Sequence, residues 1–350
     1  MKILTLDLGA GWRGGQAQTA LVTSSLSRRG HAVALIARRD SPLVERARDA
    51  GGVEVVEAPG GFEAAPGLLA AVRLAARGFR PDVLWACDAK GHGAAVWSRA
   101  ASRVPLIVHR RVSFPPGRDI LSRLKYRKAR RFIAVSGGVA ASLGAAGIPA
   151  AKVVVVPDGL PSSAYVSLEA PSPPPWRLVH VGAFDGLKGQ EVAVAVLARL
   201  VTGGLDATLT FLGDGPEREG VRRIATGLAV ASRCAFVGEV RDVSERLAGA
   251  HALILPSHAE GLSMAVMEAM AAGCAVVVRD LPGPRELTAG GAAGILVPSL
   301  DPSDWADATA SLLLEAPRRR HLVTAGRAAA AEWTIDRTVS RIEAALAESA

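Results

Sequence analysis

Short Val/Ile/Leu runs alternate with longer alanine-rich stretches along the whole chain. Apolar runs of that length, bounded by glycine, proline and polar turns, read as strands buried on both faces, and the stretches between them have the length of helices. A parallel sheet with helices on both sides accommodates this pattern, because its strands lose their solvent face. In the first half the strand candidates are KILTLDL, HAVALIA, VEVVEA, DVLWAC, PLIVHR, RFIAVS and VVVVPDG. In the second half they are WRLVHVG, ATLTFLG, CAFVG, ALILPS, AVVVRD and GILVP. Between the halves, SLEAPSPPPW (residues 167–176) is too rich in proline for a helix or a central strand. The expectation is therefore an α/β chain of two doubly wound, Rossmann-like domains, residues 1–168 and 169–332.

A chain of 350 residues with 49% hydrophobic content has the material for two buried cores. No segment approaches the ~20 apolar residues that span a bilayer. The opening MKILTLDLGAG ends in a glycine turn rather than a cleavage site and reads as a first strand. Cys87, Cys234 and Cys274 are scattered without metal-ligand spacing, which favours a reduced, cytoplasmic protein. The net charge of +8 is concentrated between Arg110 and Arg131, where nine Arg or Lys accompany one Asp. Without interleaved aromatics or a nucleic-acid motif, that segment suits an anionic membrane or a phosphate-bearing partner rather than nucleic acid, or is simply a solvated face.

Ligands of doubly wound sheets bind beyond the carboxyl ends of the strands, and the chain's unusual loops fall there. The first strand runs into GAGWRGGQ, where Gly14 and Gly15 allow close backbone approach. As a dinucleotide fingerprint this stretch is weak, since Arg13 interrupts the glycine spacing, so a nicotinamide oxidoreductase is poorly supported. In VGAFDGLKGQE, Lys188 follows Gly182 in a strand-to-helix loop, where a cation can meet a phosphate. EGLSMAVMEAM (residues 260–270) places Glu260 and Glu268 around an otherwise uncharged run. A helix opening near Ser263, with its hydroxyl as N-cap, puts Glu260 in the preceding loop and Glu268 more than a turn inside. Val266 stands where a capping box needs Glu or Gln. The two glutamates do not share a face and do not form a paired acid and base. They flank a helix N-terminus, which attracts anions, or they form the polar edge of an ordinary helix.

The E-x7-E spacing of Glu260 and Glu268, with VGAFDGLKG, FLGDGPE, FVGEVRDV, PRELTAGGAAGILVP and DPSDWADA in order around it, resembles the retaining nucleotide-sugar glycosyltransferases of family 4. GGQAQTALVTSSLSRRGHAV and FIAVSGGVAASLGAAGIPAAKVVVVPDG extend the resemblance more loosely through the first half. It implies a GT-B fold, with the two domains facing a cleft and a C-terminal helix (about 333–350) crossing back to the first domain. It also implies a site. The donor diphosphate would meet the helix N-terminus at Gly261, Leu262, Ser263 and Met264. Glu268 would accept from the ribose, Glu260 from the transferred sugar, and Lys188 would bind phosphate beside Gly182. The base would meet backbone near Gly238 and Val240. His109 would stand near the transferred sugar, and the glycine loop at Gly14 and Gly15 would complete the site. The family usually carries arginine where this chain has Ala183, leaving Arg13, Arg110 or Arg111 as possible substitutes, or a weaker donor site.

The implied reaction needs no cofactor: a nucleotide diphosphate sugar is the donor, and the absence of a D-x-D sequence gives no indication of a bridging metal. The acceptor expected is a cell-envelope glycan or a lipid-linked molecule. A sugar-nucleotide 2-epimerase of the same fold and a non-catalytic sugar-nucleotide binder remain as rivals. DILSRLKYRKARR can form a helix with Ile120, Leu121 and Leu124 on one side and Arg123, Lys125, Arg127, Lys128, Arg130 and Arg131 around the other. Its expected use is contact with the inner face of the cytoplasmic membrane.

Overall fold

A computed structural model describes residues 1–117, 119–166, 172–241 and 243–350. Arg118 of the basic segment, Asp242 of FVGEVRDV and residues 167–171, which include the expected domain boundary, lie outside the described residues. Each apolar run contains a strand. Seven form the first sheet: β1 (Lys2–Asp7), β2 (Ala32–Arg38), β3 (Glu54–Ala58), β4 (Val83–Ala86), β5 (Leu106–Arg110), β6 (Arg131–Ala134) and β7 (Val153–Val155). Six form the second: β8 (Trp176–Val181), β9 (Ala207–Leu212), β10 (Cys234–Gly238), β11 (Ala252–Leu255), β12 (Ala275–Arg279) and β13 (Ile295–Val297). All paired strands are parallel.

The chain forms two compact units, one of Met1–Gly159 with Ile335–Ala350 and one of Leu160–Thr334. In the first, Ile3, Val83, Ile107 and Ile133 of the sheet pack against Val22 and Leu26 of the Gly14–Arg28 helix. Val339, Ile342 and Leu346 of the Ile335–Ala347 helix join the same core, which ties the C-terminal helix to the first unit. In the second unit, Leu178, Phe211, Ile254 and Val277 meet Val196 and Leu197 of one helix and Trp305 and Leu312 of another. Each fully buried side chain of this kind contributes roughly 1.5–3 kcal/mol relative to exposure.

The sheet orders are β3-β2-β1-β4-β5-β6-β7 and β10-β9-β8-β11-β12-β13. Each reverses direction once, between β1 and β4 in the first unit and between β8 and β11 in the second. At such a reversal neighbouring helices leave on opposite faces and open a crevice at the strand ends. The loops after these four strands are therefore the places to look for chemistry.

Candidate functional site

In the second unit, β8 leads through Gly182–Gly189 to the Gln190–Thr202 helix, and β11 leads through residues 256–263 to the Met264–Ala272 helix. The two loops are fitted together. Gly189 has φ +69°, and a Cβ there would lie 2.1 Å from the Pro256 carbonyl oxygen, so a side chain is excluded. A Cβ on Gly182 would come within 2.8 Å of Lys188 Cγ. The bare backbone at 182 is what lets the lysine stem fold across it. Lys188 Nζ then donates to Glu260 Oε1 at 2.8 Å, and Ser257 Oγ donates to the same oxygen at 2.8 Å. The Glu260 side chain is only 5% exposed, so its charge depends on these partners. Lys188 and Glu260, assigned separate tasks by the resemblance, are thus one ion pair. Ser257 completes it, and no spacing in the sequence singled that serine out.

The helix begins at Met264, but Ser263 does not cap it as expected. Its φ/ψ of +87°/92° lie far from the extended geometry of a capping serine, and its side chain makes no cap hydrogen bond. Ser263 Oγ is left buried without a partner among the described residues. Positive φ on a non-glycine residue and an orphaned hydroxyl both cost free energy, and such strain concentrates at functional positions. Leu262 is buried, while Gly261 sits under the following segment, where a Cβ on Gly283 would lie 2.3 Å from the Gly261 carbonyl oxygen.

Glu268 lies one turn into the helix. Burial pushes its carboxyl up to about 7. Between its ordinary 4.5 and about 7 the folded chain holds more protons than the unfolded chain, so this group's contribution to stability falls as pH rises through that window. Ala183 stands in the loop with its carbonyl oxygen accepting from Gln190 Nε2 at 2.9 Å. Gly238 ends β10 at a register shift, and its carbonyl accepts from Gly213 N–H at 2.8 Å. Val240 follows in the loop, half-buried.

In the first unit the β1–β4 reversal holds a buried polar cluster. Asp7, at the end of β1, accepts from Thr19 Oγ1 at 2.7 Å and Gln16 Nε2 at 2.9 Å. Gly14 and Gly15 open the helix that carries Gln16 and Thr19, and the Gly15 carbonyl accepts from Thr19 Oγ1 at 3.0 Å. Asp88, after β4, caps the Ala89–Trp97 helix by accepting from Gly91 N–H at 2.7 Å; burial, with Asp7 nearby, pushes its carboxyl up to about 7. Asp7 lies near the end of the KILTLDL run and Asp88 directly follows DVLWAC, placements at strand ends that no motif spacing marks.

His109 lies on β5, 2% exposed, its ring 5.8 Å from that of Trp85. Burial, followed by the neighbouring Arg111 charge, holds it well below its ordinary pKa, so it is neutral. Arg111 NH2 lies 3.1 Å from Nδ1. A guanidinium can only donate, which assigns the imidazole proton to Nε2, and Nε2 is buried without a partner among the described residues. Arg111 also donates to Asp158 at 3.2 Å, and Arg110 donates to Tyr126 Oη at 2.7 Å and to the Phe114 carbonyl. Of the three arginines considered as substitutes for the missing cation, Arg110 and Arg111 are therefore engaged within their own unit. Arg13 precedes the Gly14–Arg28 helix at its N-cap position.

The basic segment differs from expectation in the placement of its charges. Asp119 caps the Ile120–Arg127 helix by accepting from Ser122 N–H at 2.9 Å. Tyr126 turns inward, stacking on Phe132 at 5.7 Å, and Lys125 turns inward to pair with Glu63 at 2.9 Å. Arg131 pairs with Glu348. Lys125 and Arg131 are thus not members of an exposed basic strip, because each has a carboxylate from another element to neutralise it. The outer face carries Ile120 (83% exposed), Leu121 (64%) and Leu124 (42%), with Arg123, Arg127 and Lys128 exposed around them.

Among the described residues, no helix is long and apolar enough to cross a membrane, and no three His, Cys, Asp or Glu side chains gather as a metal site. Two family models match the chain: "Glycosyltransferase Family 4" over residues 12–163 and "Glycosyl transferases group 1" over residues 175–315. Over 145 residues the chain is 30% identical to N-acetyl-alpha-D-glucosaminyl L-malate synthase of Bacillus anthracis, covering 41% of this chain and 38% of that one. It is 29% identical over 159 residues to the lipopolysaccharide core biosynthesis glycosyltransferase LpsE of Rhizobium meliloti, 45% of each chain. The chain therefore spans less than half the length of these relatives. The crystal structure of HepE from Anabaena in complex with UDP superposes with a TM-score of 0.84 at 19% identity, covering 99% of this chain and 100% of that one. The two sheets with their loops, the paired family models and this superposition agree: the chain belongs to the group 1 / family 4 glycosyltransferases and has the GT-B fold.

Proposed function

We propose that the chain transfers a sugar from a nucleoside diphosphate sugar to a hydroxyl of a cell-envelope glycan or glycolipid, with retention of configuration and without a metal. The observation that carries this reading is Ser263, whose buried hydroxyl, without a partner among the described residues, stands in strained backbone at the N-terminus of the Met264–Ala272 helix. An anionic oxygen at that position would satisfy the hydroxyl and meet the positive end of the helix. The N–H groups around Gly261, Leu262, Ser263 and Met264 would hold the diphosphate, with Lys188 and Gly182 beside them. Glu268 would accept from the ribose, Gly238 and Val240 would flank the base, and the loop at Gly14 and Gly15 would approach the donor through bare backbone. Glu260 would accept from the transferred sugar, and His109 would donate to it through its Nε2–H.

The chemistry follows from where charge develops. As the sugar–phosphate bond breaks, the leaving diphosphate gains negative charge and the sugar ring gains positive charge. The helix terminus and Lys188 address the first and Glu260 the second, each fixed before the reaction begins. No enzyme nucleophile is assigned, so the leaving phosphate would take the acceptor proton on the face where the acceptor attacks. Uridine is the base of choice, because HepE was crystallised with UDP. Incubation with UDP-sugars and a panel of glycan and glycolipid acceptors tests the proposal. Free UDP and a glycosylated product with the donor's anomeric configuration are expected. An epimerised donor with no acceptor consumed, or binding with no turnover, would replace the transferase reading.

Glu268 makes the donor site pH-dependent. Ribose hydroxyls donate to the ionised carboxylate and favour that form, whereas the free protein holds the carboxyl at about 7. UDP affinity should be full above that value and weaken on acidification, approaching a tenfold loss per pH unit as one proton must leave on binding. UDP itself titrates in this range, so the measurement is the difference between wild type and Glu268→Gln in calorimetric titrations across neutral pH. The variant should bind more weakly at high pH and lose the extra slope. Parallel curves would remove Glu268 from the ribose site.

The exposed Ile120, Leu121 and Leu124, framed by Arg123, Arg127 and Lys128, suit contact with an anionic membrane. Each cation near such a surface adds roughly 1 kcal/mol. Cosedimentation with phosphatidylglycerol vesicles should fall as salt is raised and should be lost in Leu121→Glu/Leu124→Glu. Unchanged binding by that variant would refute the apolar contact.

A further inference from the structure

We infer that His180, fully buried in β8, is a positioning residue for the donor: it fixes the backbone of Lys188 and so sets where that lysine's ammonium meets the diphosphate. His180 has this role only if Lys188 binds the donor as proposed above, and it acts through the lysine without touching substrate.

A lysine carries a compact charge on a flexible four-carbon stem, so its ammonium is only as well placed as the backbone beneath it. Three contacts hold that backbone. The Leu187 carbonyl accepts from His258 N–H at 2.9 Å, and Gly189 lies against the Pro256 carbonyl. His180 Nε2 lies 2.9 Å from the Lys188 carbonyl oxygen. A carbonyl can only accept, so Nε2 carries the imidazole proton and donates it to the lysine's own peptide group. The first two contacts are made by backbone. The third, at the lysine itself, depends on a side chain.

The surroundings show that packing alone does not call for an imidazole here. The ring lies 5.5 Å from Phe211, which itself lies 5.7 Å from Phe184 and 4.9 Å from Phe236. A phenylalanine would extend this aromatic cluster. Histidine instead leaves Nδ1 buried without a partner among the described residues, a cost that an apolar ring avoids. What the imidazole adds is the bond to Lys188. Burial pushes its pKa down to about 4, so the ring is neutral and the Nε2–H donor is constant around neutral pH. Ala183 raises the stakes, because no arginine on the same loop covers for a displaced lysine.

Calorimetric titration of the full chain with UDP and with uridine tests the role, using His180→Phe, His180→Met, His180→Gln, Lys188→Ala and His180→Phe/Lys188→Ala. His180→Phe should melt no lower than wild type, since the orphaned nitrogen is gone. It should bind UDP about five- to tenfold more weakly, the order expected for one lost hydrogen bond, with uridine affinity unchanged. His180→Met, which deletes the bond with a more adaptable side chain, should do the same. The amide of His180→Gln can reach the same carbonyl and should restore most of the UDP affinity. In the Lys188→Ala background, His180→Phe should have no further effect, because no ammonium remains to be placed. Wild-type UDP affinity in both His180→Phe and His180→Met, an equal loss for uridine, or a further loss in the Lys188→Ala background would overturn the role. If Lys188→Ala weakens UDP and the His180 variants do not, His180 alone falls. If Lys188→Ala binds UDP as wild type does, the donor reading falls and the role of His180 falls with it.

Discussion

Glu260→Ala is expected to lower kcat by about 10²–10³-fold while changing the donor Km only a few-fold, the signature of a preorganised group that acts mainly as charge develops. Glu260 is buried at the β8–β11 reversal and collects Lys188 Nζ and Ser257 Oγ on one oxygen at 2.8 Å each. Its removal deletes the acceptor proposed for the sugar and also releases the lysine that should face the leaving diphosphate. Folding should suffer little, because Lys188 is 26% exposed and can turn to water. Glu260→Gln separates the two losses: the amide can still accept from a sugar hydroxyl and from Ser257, but it does not neutralise Lys188. Its kcat should lie between those of wild type and the alanine variant. Initial rates at saturating acceptor, with circular dichroism as a folding control, decide the matter. Wild-type kcat in both variants would remove Glu260 from the reaction.

What the sequence could and could not disclose follows from the range of the interactions involved. Strands such as LTLDL and ALIL are local apolar runs whose burial on both faces leaves a direct trace in composition, so the parallel architecture is legible in the sequence. The helix after Ser263 could also be read from its neighbours. Its cap could not: Ser263 has the right side chain, but its backbone at φ +87° is not that of a capping serine. The same applies to charge. Lys125 looks like one more cation on a basic helix until Glu63, distant in sequence, takes it inward. Arg110 and Arg111 looked available to a ligand until Tyr126 and Asp158 engaged them. Ser257 carries no periodic or motif signal, and only the folding of one loop onto another gives it a role. Spacing discloses elements, whereas pairing across elements decides which side chains are left for a substrate.

Lys188→Ala should weaken binding of UDP by about 10–100-fold, the range expected for a charge-assisted hydrogen bond to phosphate, while leaving uridine affinity nearly unchanged. The placement behind this is the loop after β8, where Gly182 yields space to the lysine stem and Gly189 locks the loop on Pro256. Ala183 makes the dependence sharper, because the cation that the family usually adds there is missing. Part of the loss should be indirect. Without Lys188, the Glu260 carboxylate keeps only Ser257 as a side-chain partner among the described residues and would place an uncompensated negative charge beside the incoming diphosphate. Adding Glu260→Gln to Lys188→Ala should therefore restore some UDP affinity, although Glu260→Gln alone gives none. Such opposite-signed coupling is what two residues in contact produce in a double-mutant cycle. Calorimetric titration of the four proteins with UDP and with uridine supplies the numbers. Equal losses for the nucleotide and the nucleoside would place Lys188 away from the phosphates, and strictly additive effects would mean that the ion pair has no part in donor binding.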